Sequence, residues 1–330
     1  MSKRTAHSII SDATSKLILP NHNKKIWAIG GGKGGIGKSF IISSLGLSLA
    51  RAGKRVTIVD LDLGSANLHT CLGCDIPKKS LSDFFSGRVT QLSEIINETP
   101  LPGLSFISGA NDAVSAANIV DQQHTQLMRQ LINLPGEYLL IDLGAGTHSS
   151  TLDYFLMAGK PLIALTPEPT SIENAYRFIK AAYFKWIKGV ESKIGLTSLV
   201  EQAMDHKNAL GIRTPNDLIN KIAAQNPQYG EAFKAEVEKF KIYLIMNQVR
   251  TKNDVDVGHA ISSVCKKYFG IEAEYVGYLD YDNAVWQSVR KRRPLILESP
   301  YNSLVQTFAQ MAKHLDNDER SPRAVILRTP

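Results

Sequence analysis

A glycine-rich stretch between an apolar segment and a helical segment is the feature that most constrains the fold of this chain. The stretch reads Gly31-Gly32-Lys33-Gly34-Gly35-Ile36-Gly37-Lys38-Ser39. It follows the apolar run IWAIG and precedes FIISSLGLSLARAG, whose apolar residues recur at helical spacing. Gly32 to Ser39 fits G-x-x-x-x-G-K-[ST], in which glycines let backbone N–H groups face phosphate oxygens at a helix N-terminus. The pattern predicts a strand, a phosphate-binding loop and a helix, in that order.

The residue types in this loop suit a triphosphate and a divalent cation. The Lys38 ammonium would neutralise charge on the β- and γ-phosphates, and the Ser39 hydroxyl would ligate Mg²⁺. A glycine-rich turn that binds no phosphate is the alternative, and the flanking strand and helix argue against it. The expected nucleotide contacts come from Gly32, Lys33, Gly34, Gly35, Ile36, Gly37, Lys38, Ser39 and Phe40.

Apolar runs of strand length recur along the chain and alternate with helical patterns. The predicted strands are 26–30, 56–60, 104–108, 138–142, 161–166, 242–246 and 275–279. The predicted helices are 37–52, 112–133, 171–187, 253–269 and 301–315. Uninterrupted apolar strands are covered on both faces, and strands that alternate with helices form parallel sheets with crossover helices. We therefore predict an α/β fold with a doubly wound, mostly parallel sheet and helices on both faces.

The charge of the chain is unevenly distributed. The net charge is +7, but residues 1–25 and residues 290–330 each carry an excess of four positive charges, which leaves the middle close to neutral. We predict a basic N-terminal tail (1–25), a body (26–315) and a C-terminal tail (316–330). Within the body, residues 188–241 contain helical patterns and no strand-like run, so we predict a helical insertion packed on the sheet edge.

Composition excludes several classes of protein. The chain has 330 residues, of which 43% are hydrophobic and 21% charged, so it can bury a large core and is not disordered. An odd count of 3 cysteines argues against a disulfide scaffold and favours a reducing compartment. No apolar run approaches the roughly 18 residues that cross a bilayer, and the N-terminus lacks a secretory leader pattern. We expect a cytoplasmic protein.

A second lysine inside the loop, Lys33, gives the pattern K-G-G-x-G-K-S. This pattern resembles the deviant Walker A motif of the MinD/ParA family of P-loop ATPases. The resemblance implies an ATPase that needs Mg²⁺ and forms a homodimer when ATP binds. It also implies that Lys33 reaches across the dimer to the partner's phosphates, whereas the alternative is a solvated charge on its own subunit.

Two acidic segments fall where this family places its catalytic loops. Asp60 and Asp62 end the second predicted strand, in VDLDLGSAN. By resemblance, Asp62 orients the attacking water and Asp60 lies near the hydration shell of the metal. Asp142 follows the apolar run YLLI, which places it at a buried strand end where it can hold a Mg²⁺-bound water. The metal site predicted for this chain therefore comprises Ser39, Asp60 and Asp142, and the catalytic set comprises Lys33, Lys38 and Asp62.

Two further segments refine the resemblance. The phrase TPEPTSIENAY (166–176) is most similar to the FlhG/FleN-like regulators of flagellar number and position. Asn247 occupies the position that recognises the base in this family, and a carboxamide offers the adenine edge a donor and an acceptor together. The resemblance implies a switch ATPase, placed at a cell pole, that positions or counts a flagellar or other polar structure. An unidentified protein partner is expected, with 188–241 as the candidate surface.

A basic run, a cysteine pair and the C-terminal tail bear on alternative functions. The run Arg290-Lys291-Arg292-Arg293 could hold non-specific DNA, as in ParA-type partition ATPases, although such a run is more often a solvated helix end. Cys71 and Cys74 form a C-x-x-C pair that suggests an iron–sulfur carrier, but two small packing residues are the simpler interpretation. The tail NDERSPRAVILRTP has no amphipathic helix, so membrane binding of the MinD type is not expected.

Overall fold

The computed structural model describes residues 17–18, 24–63, 66–109, 121–194, 215–318 and 325–326. The strands are Leu17–Ile18 (β1), Lys25–Gly30 (β2), Val56–Leu61 (β3), Asn97–Glu98 (β4), Leu104–Ile107 (β5), Tyr138–Leu143 (β6), Lys160–Leu165 (β7), Lys241–Val249 (β8), Glu272–Asp280 (β9) and Val325–Ile326 (β10). The helices are Lys38–Arg51 (α1), Leu68–Leu72 (α2), Leu81–Phe85 (α3), Asp121–Ile132 (α4), Ser149–Leu156 (α5), Pro169–Ile194 (α6), Pro215–Gln225 (α7), Pro227–Val237 (α8), Lys252–Val264 (α9), Asn283–Arg290 (α10), Leu295–Glu298 (α11) and Ser303–Asn317 (α12).

One sheet of eight strands forms the centre of the molecule, in the order β4-β5-β3-β6-β2-β7-β8-β9. Its strands are parallel except for β4, which pairs antiparallel with β5. The predicted α/β fold class, a doubly wound and mostly parallel sheet with helices on both faces, is confirmed. Every predicted strand is present, whereas β4 escaped prediction because its two residues, Asn97 and Glu98, are polar.

Alternation along each strand sends side chains into two separate apolar layers. In β2, Ile26 and Ala28 join the layer under α4, α5 and α6, whereas Trp27 and Ile29 join the layer under α1 and α12. Both layers contain fully buried aliphatic and aromatic residues, which explains why these strands are apolar throughout rather than alternating. The parallel arrangement brings the carboxyl ends of β2, β3 and β6 to the same edge of the sheet.

The described part of the predicted insertion is helical. α6 continues to Ile194, residues 195–214 lie outside the described part, and α8 packs on α7 and on α6. The packing of the insertion on the sheet edge stays a prediction. Phe240, just after α8, contacts the rings of Tyr183 and Trp186 on α6. The insertion therefore buries its apolar residues against a long helix that already covers one face. The predicted helix 112–133 is described from Asp121, and residues 110–120 lie outside the described part.

The amino edge of the sheet is fastened by ion pairs to the end of α12. Lys25 on β2 pairs with Asp316, and Lys160 on β7 pairs with Asp318 at 3.0 Å. Separately from the large sheet, Leu17–Ile18 pairs antiparallel with Val325–Ile326. The division into a body and two tails stays a prediction, and the structure begins β2 at Lys25 and ends α12 at Asn317. Among the described residues, no helix has the length and apolar character needed to cross a membrane.

Candidate functional site

The glycine loop (residues 31–37) joins β2 to α1 and adopts a conformation that requires glycine at several positions. Gly35 and Gly37 have φ angles of 75° and 93°, in the left-handed region that side chains rarely adopt. A Cβ atom on Gly32 would lie 2.1 Å from the carbonyl oxygen of Asn174 on α6. A Cβ atom on Gly37 would lie 2.4 Å from the side-chain nitrogen of Asn247. The loop is therefore wedged between the N-terminal end of α6 and the end of β8.

The two lysines of the loop lie in different environments. Lys38 is buried, and its ammonium donates a long hydrogen bond of 3.5 Å to the carbonyl oxygen of Lys33. The Lys33 side chain is 38% exposed and pairs with the Glu168 carboxylate at 2.9 Å. It also donates to the Thr170 hydroxyl at 3.2 Å. In this single chain, Lys33 is thus held by the segment that opens α6.

Asp60 and Asp142 are brought together by strand register. They are direct partners on the adjacent parallel strands β3 and β6, and both are 1% exposed. Asp60 accepts hydrogen bonds from the backbone N–H groups of Asp62 (3.0 Å) and Leu68 (3.2 Å). Neither carboxylate oxygen of Asp142 has a hydrogen-bond partner in the described part of the chain. Two buried acids, one without a partner, therefore lie at the strand ends beneath the glycine loop.

Burial raises the pKa of both carboxyl groups. Desolvation raises the pKa of Asp60 to about 7, and the backbone N–H groups of Asp62 and Leu68 oppose this rise. Desolvation also raises the pKa of Asp142 well above its ordinary value, and the nearby charge of Asp60 adds to the rise. The Ser39 hydroxyl and the Lys38 ammonium lie close enough to oppose it. A divalent cation near these groups would restore the ionised form of both acids.

The residues present fit a Mg²⁺ site that a substrate completes. The described residues contain no group of three or more His, Cys, Asp and Glu side chains that could hold a metal by themselves. Mg²⁺ is commonly held by one or two carboxylates or hydroxyls together with waters and substrate phosphates. The orphaned oxygens of Asp142, the neighbouring Asp60 and the hydroxyl of Ser39 supply that kind of donor set. Mg²⁺ bound there would offset the negative charge of the triphosphate.

Asp62 lies on the loop that follows β3, next to the loop that follows β6. A Cβ atom on Gly144 would lie 3.0 Å from the Asp62 carboxylate, so the two loops are in close contact. Gly146 has a φ of 98°, which gives the second loop a glycine-specific turn. Residues 64 and 65 lie outside the described part. The loops that could respond to a γ-phosphate therefore adjoin each other, and the role of Asp62 stays a prediction.

Asn247 reaches the glycine loop, where its carboxamide has contacts that the sequence does not predict. Its nitrogen donates to the carbonyl oxygen of Ile36 at 2.8 Å, and its oxygen accepts from the N–H of Gln248 at 2.9 Å. Gln248 has a φ of 59°, and this hydrogen bond supports its left-handed conformation. Asn247 therefore braces the loop from the end of β8. Its part in base recognition stays a prediction.

Glu168, Thr170 and Asn174 belong to this site, although no local sequence pattern predicts their contact with the glycine loop. They open α6 and touch Lys33 or Gly32, more than 130 positions away along the chain. The phrase TPEPTSIENAY was informative only as a resemblance. This segment directly follows the strand β7, and its position predicts that it lies at the same sheet edge as the glycine loop.

The cysteines and the basic run lie beside the site. Burial raises the pKa of the Cys71 thiol to about 12 and that of Cys74 to about 11, so neither is a ready thiolate. In the basic run after α10, Lys291 and Arg293 both pair with Glu298, at 2.6 and 3.2 Å. The single negative charge of Glu298 thus offsets one of the four positive charges of the run, which leaves less charge for a phosphate backbone.

Comparison with known proteins agrees with this geometry. Residues 27–295 match the model of the CobQ/CobB/MinD/ParA nucleotide binding domain. The antiactivator FleN of Pseudomonas aeruginosa is 27% identical over 298 residues, which are 90% of this chain and 88% of FleN. The flagellum site-determining protein YlxH of Helicobacter pylori is 34% identical over 165 residues, which are 48% of this chain and 53% of YlxH.

Solved structures show the same fold. The septum site-determining protein MinD of Pyrococcus horikoshii, solved with Mg-ADP, superposes with a TM-score of 0.61 at 20% identity, covering 89% of this chain and 96% of that one. A ParA family ATPase from Chlorobium tepidum gives a TM-score of 0.59 at 17% identity, covering 89% and 100%. The fold and the glycine loop define a P-loop nucleotide-binding protein. The chain belongs to the MinD/ParA family of nucleotide-binding ATPases.

Proposed function

We propose that this protein is a Mg²⁺-dependent ATPase switch that dimerises when ATP binds. The observation that carries the proposal is the meeting of three features at one sheet edge. They are a glycine loop, the partnerless buried carboxylate of Asp142, and a partly exposed Lys33 held by a surface ion pair with Glu168 and a hydrogen bond to Thr170. An exposed pair of this kind contributes about 0.2–1 kcal/mol, so Lys33 can exchange Glu168 for a phosphate at little cost.

In the proposed cycle, each residue has a distinct task. The loop backbone and Lys38 bind the β- and γ-phosphates of ATP in one subunit. Lys33 leaves Glu168 and contacts the phosphates in the partner subunit, which makes dimerisation depend on ATP. Asp62 orients the attacking water, hydrolysis is slow, and loss of the γ-phosphate releases the two subunits.

Three alanine variants test this assignment by gel filtration. Lys38→Ala should bind no ATP and remain a monomer, whereas Lys33→Ala should bind ATP and still remain a monomer. Asp62→Ala should form dimers that persist with ATP, because the water is no longer oriented. Lys78→Ala, at an exposed lysine on the segment between α2 and α3, is the matched control and should behave as wild type. ATP-dependent dimers of Lys33→Ala, or rapid hydrolysis by Asp62→Ala, would exclude the mechanism.

We further propose that the switch sets the number or position of flagella or of another polar structure. The similarity to FleN along most of the chain and the partial similarity to the flagellum site-determining YlxH support this role. Replacing the chromosomal gene by one encoding Lys38→Ala should change the number or placement of flagella per cell, counted by electron microscopy. Unchanged flagellation would refute the cellular role and leave the ATPase assignment standing.

Partition of DNA is the second candidate, and the exposed Arg290 and Arg292 favour it. These two arginines have no carboxylate partner among the described residues, in contrast to Lys291 and Arg293. The candidate predicts an ATP-dependent gel shift of non-specific DNA that weakens with salt and with Arg290→Gln/Arg292→Gln. No shift at low salt would remove it.

A further inference from the structure

A cavity at the amino edge of the sheet, opposite the glycine loop, has the character of an anion site. It has a volume of about 460 Å³ and is formed where β2, β3 and β6 begin. Its lining includes four cationic residues, which are Lys24, Lys25, Lys54 and Arg55, and one acidic residue, Glu137. We call it the amino-edge cavity. The proposed ATPase function makes no use of it.

Three of the four cations in this lining form no ion pair with a carboxylate in the described part of the chain. Lys25 is the exception, because it pairs with Asp316 at the end of α12. The side chains of Lys54 and Arg55 form no ion pair with a described carboxylate, although the Lys54 charge lies near enough to Asp316 to help lower the pKa of that carboxyl group. Glu137 is engaged by backbone, since its carboxylate accepts the N–H of Arg55 at 3.1 Å. Among the described residues, the lining of the cavity therefore carries a net positive charge.

Lys24 is the strongest indication of an anionic ligand. Its side chain is buried, with 5% of the residue exposed, and its ammonium donates to the carbonyl oxygen of Leu134, which also lines the cavity. An ammonium has three N–H donors, and burying one without a counter-ion is costly. Burial lowers the pKa of Lys24 to about 8, and no carboxylate opposes the change. An anion in the cavity would supply the missing counter-charge.

The site is separate from the nucleotide site. β2 leads from Lys25 to the glycine loop, β3 from Arg55 to Asp60, and β6 from Tyr138 to Asp142. At a rise of about 3.3 Å per residue, these stretches of strand hold the two sites roughly 13–20 Å apart at opposite edges of the sheet. One nucleotide on the glycine loop therefore cannot occupy both.

The charge around the cavity points to phosphate as the group bound. Lysine ammonium groups and an arginine fork together are the usual phosphate-binding set, and a cavity of this volume accepts a small phosphorylated molecule. We propose that the amino-edge cavity binds a phosphate-bearing ligand, either a free phosphorylated small molecule or the headgroup of an anionic lipid.

Binding of inorganic phosphate tests the proposal directly. The full-length protein is first saturated with Mg²⁺ and adenylyl imidodiphosphate, so that the glycine loop and the γ-phosphate position are filled. Added inorganic phosphate is then followed by ³¹P NMR, in which its resonance is resolved from those of the analogue. Wild type should broaden the phosphate resonance, and Lys54→Gln/Arg55→Gln should weaken the affinity at least tenfold. Lys78→Gln/Lys221→Gln, which removes two exposed lysines elsewhere, is the control for net charge and should bind as wild type.

Sedimentation with vesicles distinguishes the two sources of phosphate. If the ligand is a lipid headgroup, wild type should pellet with vesicles of 30% phosphatidylglycerol in phosphatidylcholine, and Lys54→Gln/Arg55→Gln should stay in solution. If the ligand is a free molecule, phosphate binding persists and no protein pellets. Equal thermal unfolding and ATP hydrolysis of the variants would show that the fold and the nucleotide site are intact. Absence of both interactions in wild type, or equal binding by Lys54→Gln/Arg55→Gln, would overturn the proposal.

Discussion

The substitution Asp142→Asn should stabilise the nucleotide-free protein while it removes Mg²⁺-dependent ATP binding. Asp142 is fully buried, its two oxygens have no partner in the described residues, and its pKa is raised by desolvation and by the charge of Asp60. Its folded-state pKa lies above the unfolded value of 3.8, so the folded protein binds the extra proton and stability falls as the pH rises. Asparagine keeps the shape of the side chain and carries no charge to desolvate.

The pKa of the aspartate in the unfolded chain sets an upper limit on the stability gained by Asp142→Asn. One pKa unit corresponds to about 1.4 kcal/mol, so keeping this acid protonated at pH 7 costs at most about 4 kcal/mol relative to its ionised unfolded form. At pH 5 the same cost is at most about 1.6 kcal/mol. The advantage of Asp142→Asn should therefore grow by up to about 1.4 kcal/mol per pH unit between pH 5 and pH 7.

Urea unfolding at pH 5, 6 and 7, in EDTA and without nucleotide, measures this gain. Asp153→Asn is the matched control, because Asp153 is partly buried but pairs with Lys185 at 2.7 Å, and its pKa is lowered. The ion pair stabilises the folded protein above the pKa that Asp153 has in the unfolded chain, and this stabilisation is lost on acidification. Asp153→Asn should therefore lower the free energy of unfolding by roughly 1 kcal/mol at pH 7. The reasoning is refuted if Asp142→Asn also destabilises the protein, or if its effect does not change with pH.

Two further predictions concern contacts around the glycine loop. Glu168→Gln should strengthen ATP-dependent dimerisation about 2- to 30-fold in sedimentation equilibrium. Each of the two subunits loses one exposed Lys33–Glu168 ion pair, worth about 0.2–1 kcal/mol, that would otherwise have to break when the dimer forms. Glu173→Gln, which removes the ion pair with Arg177 on the same helix, is the control, and a weaker dimer of Glu168→Gln would contradict the idea. Gly37→Ala should lower ATP affinity at least tenfold in calorimetric titration, because its Cβ atom would lie 2.4 Å from the Asn247 nitrogen. Gly53→Ala has a similar φ of 80° and no atom within 4 Å, so it should change stability and leave ATP affinity unaltered.

Much of the fold could be predicted because its signals are local. Six of the predicted strands are apolar runs that are largely buried on both faces, whereas the edge strand β9 is partly exposed. The loop 31–37 contains the glycines that its conformation requires. β4 and the pairing of β1 with β10 could not be predicted, since strands of two residues have no periodicity to detect. The packing of α8 on α6 could not be predicted, because helical spacing gives the apolar face of a helix and not the surface that covers it.

The sequence by itself determined the phosphate loop, the order of strands and helices, and the acids at the strand ends. These depend on neighbouring residues, whose chemistry and spacing can be read along the chain. Only the tertiary structure decided that Asp60 faces Asp142, that Lys33 pairs with Glu168, that Asn247 braces Gly37, and that Lys24, Lys54 and Arg55 share one cavity. Such contacts arise from strand register and helix packing between distant segments, where the free energy of burial, and not the local pattern, selects the partner.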